Sequence, residues 1–112
     1  MIWHKGPPPH LSFGSFGAGQ RHAIFTRLAG VSQGAFASLN QSLLVGDVAE
    51  HVRENQHRAQ AVLHCKPEAV VNCQQVHGHH VAVVTAADAG TVIAATDGLV
   101  TADPHIVLTM RY

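Results

Sequence analysis

One stretch constrains the fold of this chain more than any other: residues 47–64, DVAEHVRENQHRAQAVLH. Val48, Val52, Ala59, Val62 and Leu63 recur there at helical spacing, with Glu, Arg, Gln and His between them. Such a period defines an amphipathic helix. Asp47-Val48-Ala49-Glu50 has the form of a capping box, in which Asp47 accepts from the first backbone donors and Glu50 reaches back. Lys66-Pro67 ends the run, because a residue before proline is driven out of the helical region. The pattern predicts a helix over residues 48–64. Its apolar stripe must be buried against other elements.

Those elements read as short strands. Residues 22–26 (HAIFT), 69–77, 81–85, 92–94, 98–101 and 106–110 are apolar or alternating, and Gly78, Gly90 and Asp103-Pro104 punctuate them. Residues 30–34 form a loop, and residues 37–44 read as a turn with a further short strand. Residues 1–20 hold four glycines and Pro7-Pro8-Pro9. A triple proline cannot enter a sheet interior, so this segment is expected to be an extended arm packing loosely on the rest. The expectation is an α+β fold of mixed layers, with one long helix packed on short strands that are mostly antiparallel or mixed. Its division is an arm over residues 1–20 and a domain over residues 21–112.

Composition narrows the function. Seven basic side chains balance seven acidic ones among 112 residues, and charged residues make up 12%. That argues against nucleic acid or an anionic membrane as partner, since both require clustered Lys and Arg. No apolar run approaches the roughly 20 residues that span a bilayer. The opening MIWHKGPPPHLSFG lacks the regions of a signal peptide. Two cysteines make no disulfide framework, and a reduced, cytoplasmic protein is expected.

Ten histidines are many for this length. His4, His10, His22, His51, His57, His64 and His105 are scattered without ligand spacing. His77, His79 and His80 crowd round Gly78 in QQVHGHHV. Cys73 and His77 would share a strand face, but roughly 13 Å apart at about 3.3 Å per residue, which forbids a shared ion on an unbroken strand. His77 and His79, roughly 6.6 Å apart on the same rise, could converge on a metal, although Gly78 suggests a break between them. Cys73 lies in the alternation VVNCQQV of a half-buried strand, where a thiol is ordinarily inert packing. Local chemistry therefore points to a site near His77 without naming a reaction.

The series Thr26-Arg27, Gly30-Val31-Ser32, Ser38-Leu39-Asn40, Val45-Gly46-Asp47, Glu54-Asn55, Gln75-Val76-His77-Gly78 and Asp97-Gly98-Leu99-Val100-Thr101 resembles one family across residues 22–112. That family is the laccase-domain or YfiH-like proteins, also described as multicopper polyphenol oxidoreductases and purine nucleoside phosphorylases. The resemblance implies a cytoplasmic metalloenzyme acting on purine nucleosides. Its members are credited with phosphorolysis of adenosine, inosine, guanosine and methylthioadenosine, and with adenosine deamination. It also implies a His-Cys-His metal set, usually zinc and in the oxidoreductase description copper, whose first ligand corresponds to His77. The family cysteine lies in an Ala-Asp-Cys motif beyond the segment matching LTMRY, and the second histidine lies further on. Neither Cys65 nor Cys73 corresponds to it. The expectation is the N-terminal portion of an incomplete YfiH-like domain, inactive alone for want of those two ligands. Smaller departures are Ala29, where a second glycine is common, and Gln56, where arginine often follows Glu-Asn.

The resemblance further implies roles in an intact enzyme. Arg27 suits phosphate or developing negative charge, because its fork donates bidentately; a structural salt bridge is the plain alternative. Ser32 and Asn40 are candidates to line the nucleoside pocket, or else fasten turns. Gln75 could reach substrate or support the metal. Asn55 and Asp47 read as structural, the latter as helix cap, and Asp97 as fixing a turn. Copper-dependent phenol oxidation ranks below phosphorolysis, since such oxidases need several copper centres. A non-enzymatic, histidine-rich remnant is the third reading.

Overall fold

The computed structural model describes residues 1–111. The chain divides into two compact units, Met1–His64 and Cys65–Tyr112. Each is built on its own sheets.

In the first unit, β1 (Ile2–His4), β2 (His10–Ser12) and β3 (Ile24–Phe25) form an antiparallel sheet in that order. The register pairs Trp3 with Leu11, His4 with His10, and Leu11 with Ile24. Residues 1–20 thus hold two strands, and the β2–β3 ladder ties them into the unit. The three prolines sit in the β1–β2 connection, where no ladder bond needs their missing N–H. Pro8 is fully buried there, and the imidazoles of His4 and His10 stack across the pair with centroids 4.6 Å apart.

The helix α1 runs Ala49–Val62. Val52, Asn55 and Ala59 are its buried residues, three and four apart as a single stripe demands. Val48 occupies the N-cap position with no side-chain cap. Asp47 therefore is not the helix cap of the capping-box reading: one residue too early, it bonds the Val48 N–H through Oδ1 and gives Oδ2 to Ser32 and Asn40. Beyond Leu63 the chain leaves the helix through His64 in the left-handed region, φ 51°. Residues 37–44 hold no strand, because their backbone groups turn to Arg27 and Asn40 instead.

The second unit is parallel. β4 (Val70–Cys73) lies between β6 (Val92–Ile93) and β8 (Val107–Thr109), and β5 (Val81–Val83) pairs with β7 (Gly98–Val100). Flanked on both sides, β4 buries Val70, Val71 and Cys73 and so lacks the simple alternation of an edge strand. Val71, Val84 and Ile106 form the core, with Ala82, Ala89, Ile93, Leu99 and Leu108 packed on it. The fold is α+β with mixed strands, antiparallel in the first unit and parallel in the second. The strand expected over residues 69–77 stops at Cys73, although Gln74 N–H still reaches Ile93 O at 2.9 Å. Past Gln74 the chain turns away.

Candidate functional site

In the first unit, a polar hub holds the loop that carries three of the candidate residues. Asn55 is fully buried; its Oδ1 accepts from Val31 N–H at 2.8 Å, and Nδ2 donates to Ser32 Oγ and to Asn40 O, each at 2.9 Å. Ser32, 4% exposed, donates to Asp47 Oδ2 at 2.5 Å. Its hydroxyl is thereby engaged on both sides, as donor to Asp47 and acceptor from Asn55. Asn40 donates to Asp47 and to Ser42 O and accepts from Ser42 N–H, which closes the turn. The Asp47 carboxyl is held below its ordinary value of 3.8, above all by the Ser32 hydroxyl; burial opposes this, and Asn40, the Val48 N–H and nearby His51 reinforce it.

Two backbone features bring this loop close to residues 37–39. A Cβ on Gly30 would collide with the carbonyl of Ser38 and with Leu39 Cα, so only glycine permits the approach. Ala29 stands at φ 67°, where alanine is strained, and Arg58 grips its carbonyl at 3.0 Å. Across from them, Arg27 O accepts from the N–H groups of Ser38 and Leu39 and from Ser38 Oγ, all at 2.9 Å. The result is an open cleft of about 410 Å³ lined by Arg27, Phe36, Asn40 and Val45 among others. Arg27 and Asn40 meet there; Ser32 lies behind the wall.

In the second unit, Gln75, Val76 and His77 follow β4 into an exposed loop. His77 adopts φ 57°, a region histidine tolerates better than branched residues. The loop folds round Asp97: Oδ1 accepts from Val76 N–H at 3.0 Å, while Asp97 N–H and Gly98 N–H donate to His80 O at 2.9 and 3.2 Å. Oδ2 is shielded from solvent without a hydrogen bond of full geometry, yet the amides of Gly78, His80 and His77 lie near enough to favour its charge. Burial would raise this carboxyl; the surrounding N–H groups outweigh it and hold the group below 3.8. Gln75 Nε2 donates to the weak acceptor Met110 Sδ, at 3.7 Å. Cys73 is buried in β4, and burial, then the Asp97 charge, push its thiol above 9.0 against the pull of Arg111.

The candidates thus fall into two groups, Arg27, Ser32 and Asn40 in one compact unit and Gln75 and His77 in the other. Among the described residues no three His, Cys, Asp or Glu side chains are grouped to hold a metal ion. The residues present therefore do not by themselves fit a three-ligand zinc or copper site. His77 offers one exposed imidazole, and Cys73 is a core thiol. Phe36 in the cleft wall carried no sequence signal, being one of four phenylalanines without a motif. The grip of Asp97 on residues 76–80 spans a gap in sequence that no local pattern bridges. No helix among the described residues is long and apolar enough to cross a membrane.

Comparison with known proteins gives this arrangement its class. The family described as multi-copper polyphenol oxidoreductase laccase matches residues 21–112. The chain belongs to that family. It is 36% identical over 91 residues to a protein of Corynebacterium glutamicum named purine nucleoside phosphorylase, covering 80% of this chain and 37% of the relative. It is also 36% identical over 102 residues to the purine nucleoside phosphorylase YlmD of Geobacillus stearothermophilus, covering 85% and 37%. The crystal structure of that YlmD superposes with a TM-score of 0.76 at 35% identity, over 80% of this chain and 36% of the other. The structure of Bacillus licheniformis YfiH gives the same score and coverage at 30% identity. The chain spans about 37% of the length of these curated relatives.

Proposed function

We propose that this chain is the N-terminal part of a zinc-dependent, cytoplasmic purine nucleoside phosphorylase. Two observations support the reading, one in each compact unit: the QVHG histidine is exposed on a loop clasped by Asp97, and Arg27 lines an open cleft. In phosphorolysis a phosphate oxygen bonds to C1′ of the ribose as the C1′–N9 bond breaks, and the purine leaves with the bonding pair and takes up a proton. Arg27 fits the phosphate, since its guanidinium offers two parallel donors. Ser32 and Asn40 serve the nucleoside through the wall they fasten, their own polar atoms being engaged in the hub. Gln75, whose amide donates to a thioether, exchanges that weak contact readily for a substrate oxygen. His77 supplies one metal ligand; a catalytic zinc takes three from protein. Adenosine, inosine and guanosine are the substrates, with adenosine deamination as a second activity. The 112 residues alone do neither.

The test compares the purified 112-residue chain with the same residues joined to the remaining portion of the Geobacillus relative, each with inosine and phosphate, with and without zinc. Base release is expected from the folded chimera and lost in its His77→Ala form, with none from the short chain. Turnover by the short chain overturns its inactivity, and an inert, zinc-loaded, folded chimera overturns the phosphorylase reading. The family's description favours one competitor, copper-dependent phenol oxidation. Oxygen uptake with copper and a phenol, in the same samples, decides between them.

A further inference from the structure

We propose that Asp97 is a positioning residue for His77: its carboxylate templates the 76–80 loop and so fixes the direction in which that imidazole is presented. The inference rests on the reading of His77 as a metal ligand and adds the group that sets its geometry.

Three observations converge. The side chain takes the loop's first amide, Val76 N–H, at 3.0 Å, while the backbone of the same residue and the next take the loop's last carbonyl, His80 O, at 2.9 and 3.2 Å. Both ends of a five-residue loop are thus tied to Asp97-Gly98, which enters β7 directly opposite β5, Val81 facing Gly98. The loop also closes over the carboxylate. A Cβ on Gly78 would lie 3.0 Å from Oδ2, so a side chain there would press on a shielded oxygen. Finally, His77 sits between these ties at φ 57°, a conformation that persists only when its surroundings impose it. A metal ligand gains from such constraint, because an imidazole already aimed loses less freedom when it binds. Aspartate suits the place better than asparagine: either carboxylate oxygen is able to accept, whereas an amide would turn an NH₂ toward the loop's own donors.

The experiment uses the 112-residue chain, isotopically labelled, as wild type, Asp97→Asn, Asp97→Ala and Gly78→Ala. Amide exchange at Val76, with Val71 in β4 as control, reports the clasp, and the three-bond HN–Hα coupling reports the His77 φ. Val76 is expected to exchange about tenfold faster or more in Asp97→Ala, as the loss of a bond to a charged acceptor implies. In that variant His77 leaves the left-handed region while Val71 is unchanged. Asp97→Asn, which keeps one acceptor, falls between wild type and alanine, and Gly78→Ala loosens the same amides with Asp97 intact. Unchanged Val76 exchange and φ in Asp97→Ala overturn the proposal. So does an Asp97→Asn protein that loses protection at Val71 as much as at Val76, since Asp97 would then support the unit and not the loop. Zinc titrated into the chimera with the Geobacillus relative, and followed at the His77 ring carbons, judges the ligand reading separately: no response at His77 there overturns that reading and leaves the backbone result standing.

Discussion

Replacing Asn55 by alanine removes the hub of the first unit. Three bonds disappear together, to Val31 N–H, Ser32 Oγ and Asn40 O. Each contributes about 1 kcal/mol net, so the loss is about 3 kcal/mol. For a chain of this size that lowers Tm by about 12 °C, at about 4 °C per kcal/mol. Two reporters follow the first unit: the sole tryptophan, Trp3 in β1, by fluorescence, and α1 by circular dichroism. Gln56→Ala, which removes one bond to Gln41 O, is the control, expected to cost about 1 kcal/mol. Ser32→Ala combined with Asn55→Ala should cost less than the sum of the two, because they share a bond. An Asn55→Ala loss below about 1 kcal/mol, or full additivity with Ser32→Ala, would refute the claim that one network organises this loop.

Four further outcomes are expected. Ala29→Gly relieves the positive φ and stabilises the chain by about 1 kcal/mol, measured by urea denaturation. Gly30→Ala drives a methyl into the Ser38 carbonyl and costs about 3 kcal/mol or prevents folding, measured in the same way. The Asp47 carboxyl is depressed in the folded state, so its contribution is complete above the unfolded value of 3.8 and fades as pH falls below it; Asp47→Asn flattens that part of the acid limb of a Tm-against-pH curve. The Cys73 thiol is raised, so its contribution is present below the unfolded value of 9.0 and lost as pH climbs past it. In a Cys65→Ser chain a disulfide reagent at pH 8 therefore reacts more slowly with native Cys73 than with the urea-unfolded thiol, because burial both covers the sulfur and disfavours its thiolate.

The sequence by itself determined the elements whose cause is local. The apolar spacing of Val52 and Ala59 and the Lys66-Pro67 stop placed α1 within two residues at each end, and short strands appeared where β-branched runs lay between glycines and an Asp-Pro. It determined the family too, since six or more short motifs in order are specific where each alone is weak. The tertiary structure decided what depends on partners distant in sequence. Asp47 looked like a cap by its distance from Glu50, but Ser32, fifteen residues earlier, claims its carboxylate. Residues 1–20 looked like an arm because prolines resist a sheet, yet they occupy only the connection, and β3 supplies the pairing. Asp97 looked like a turn residue, and its side chain clasps a loop twenty-one positions upstream. Hydrogen bonds and close approaches of this kind are formed in space between groups that periodicity cannot relate, so only the folded chain could show which carboxylate holds which loop.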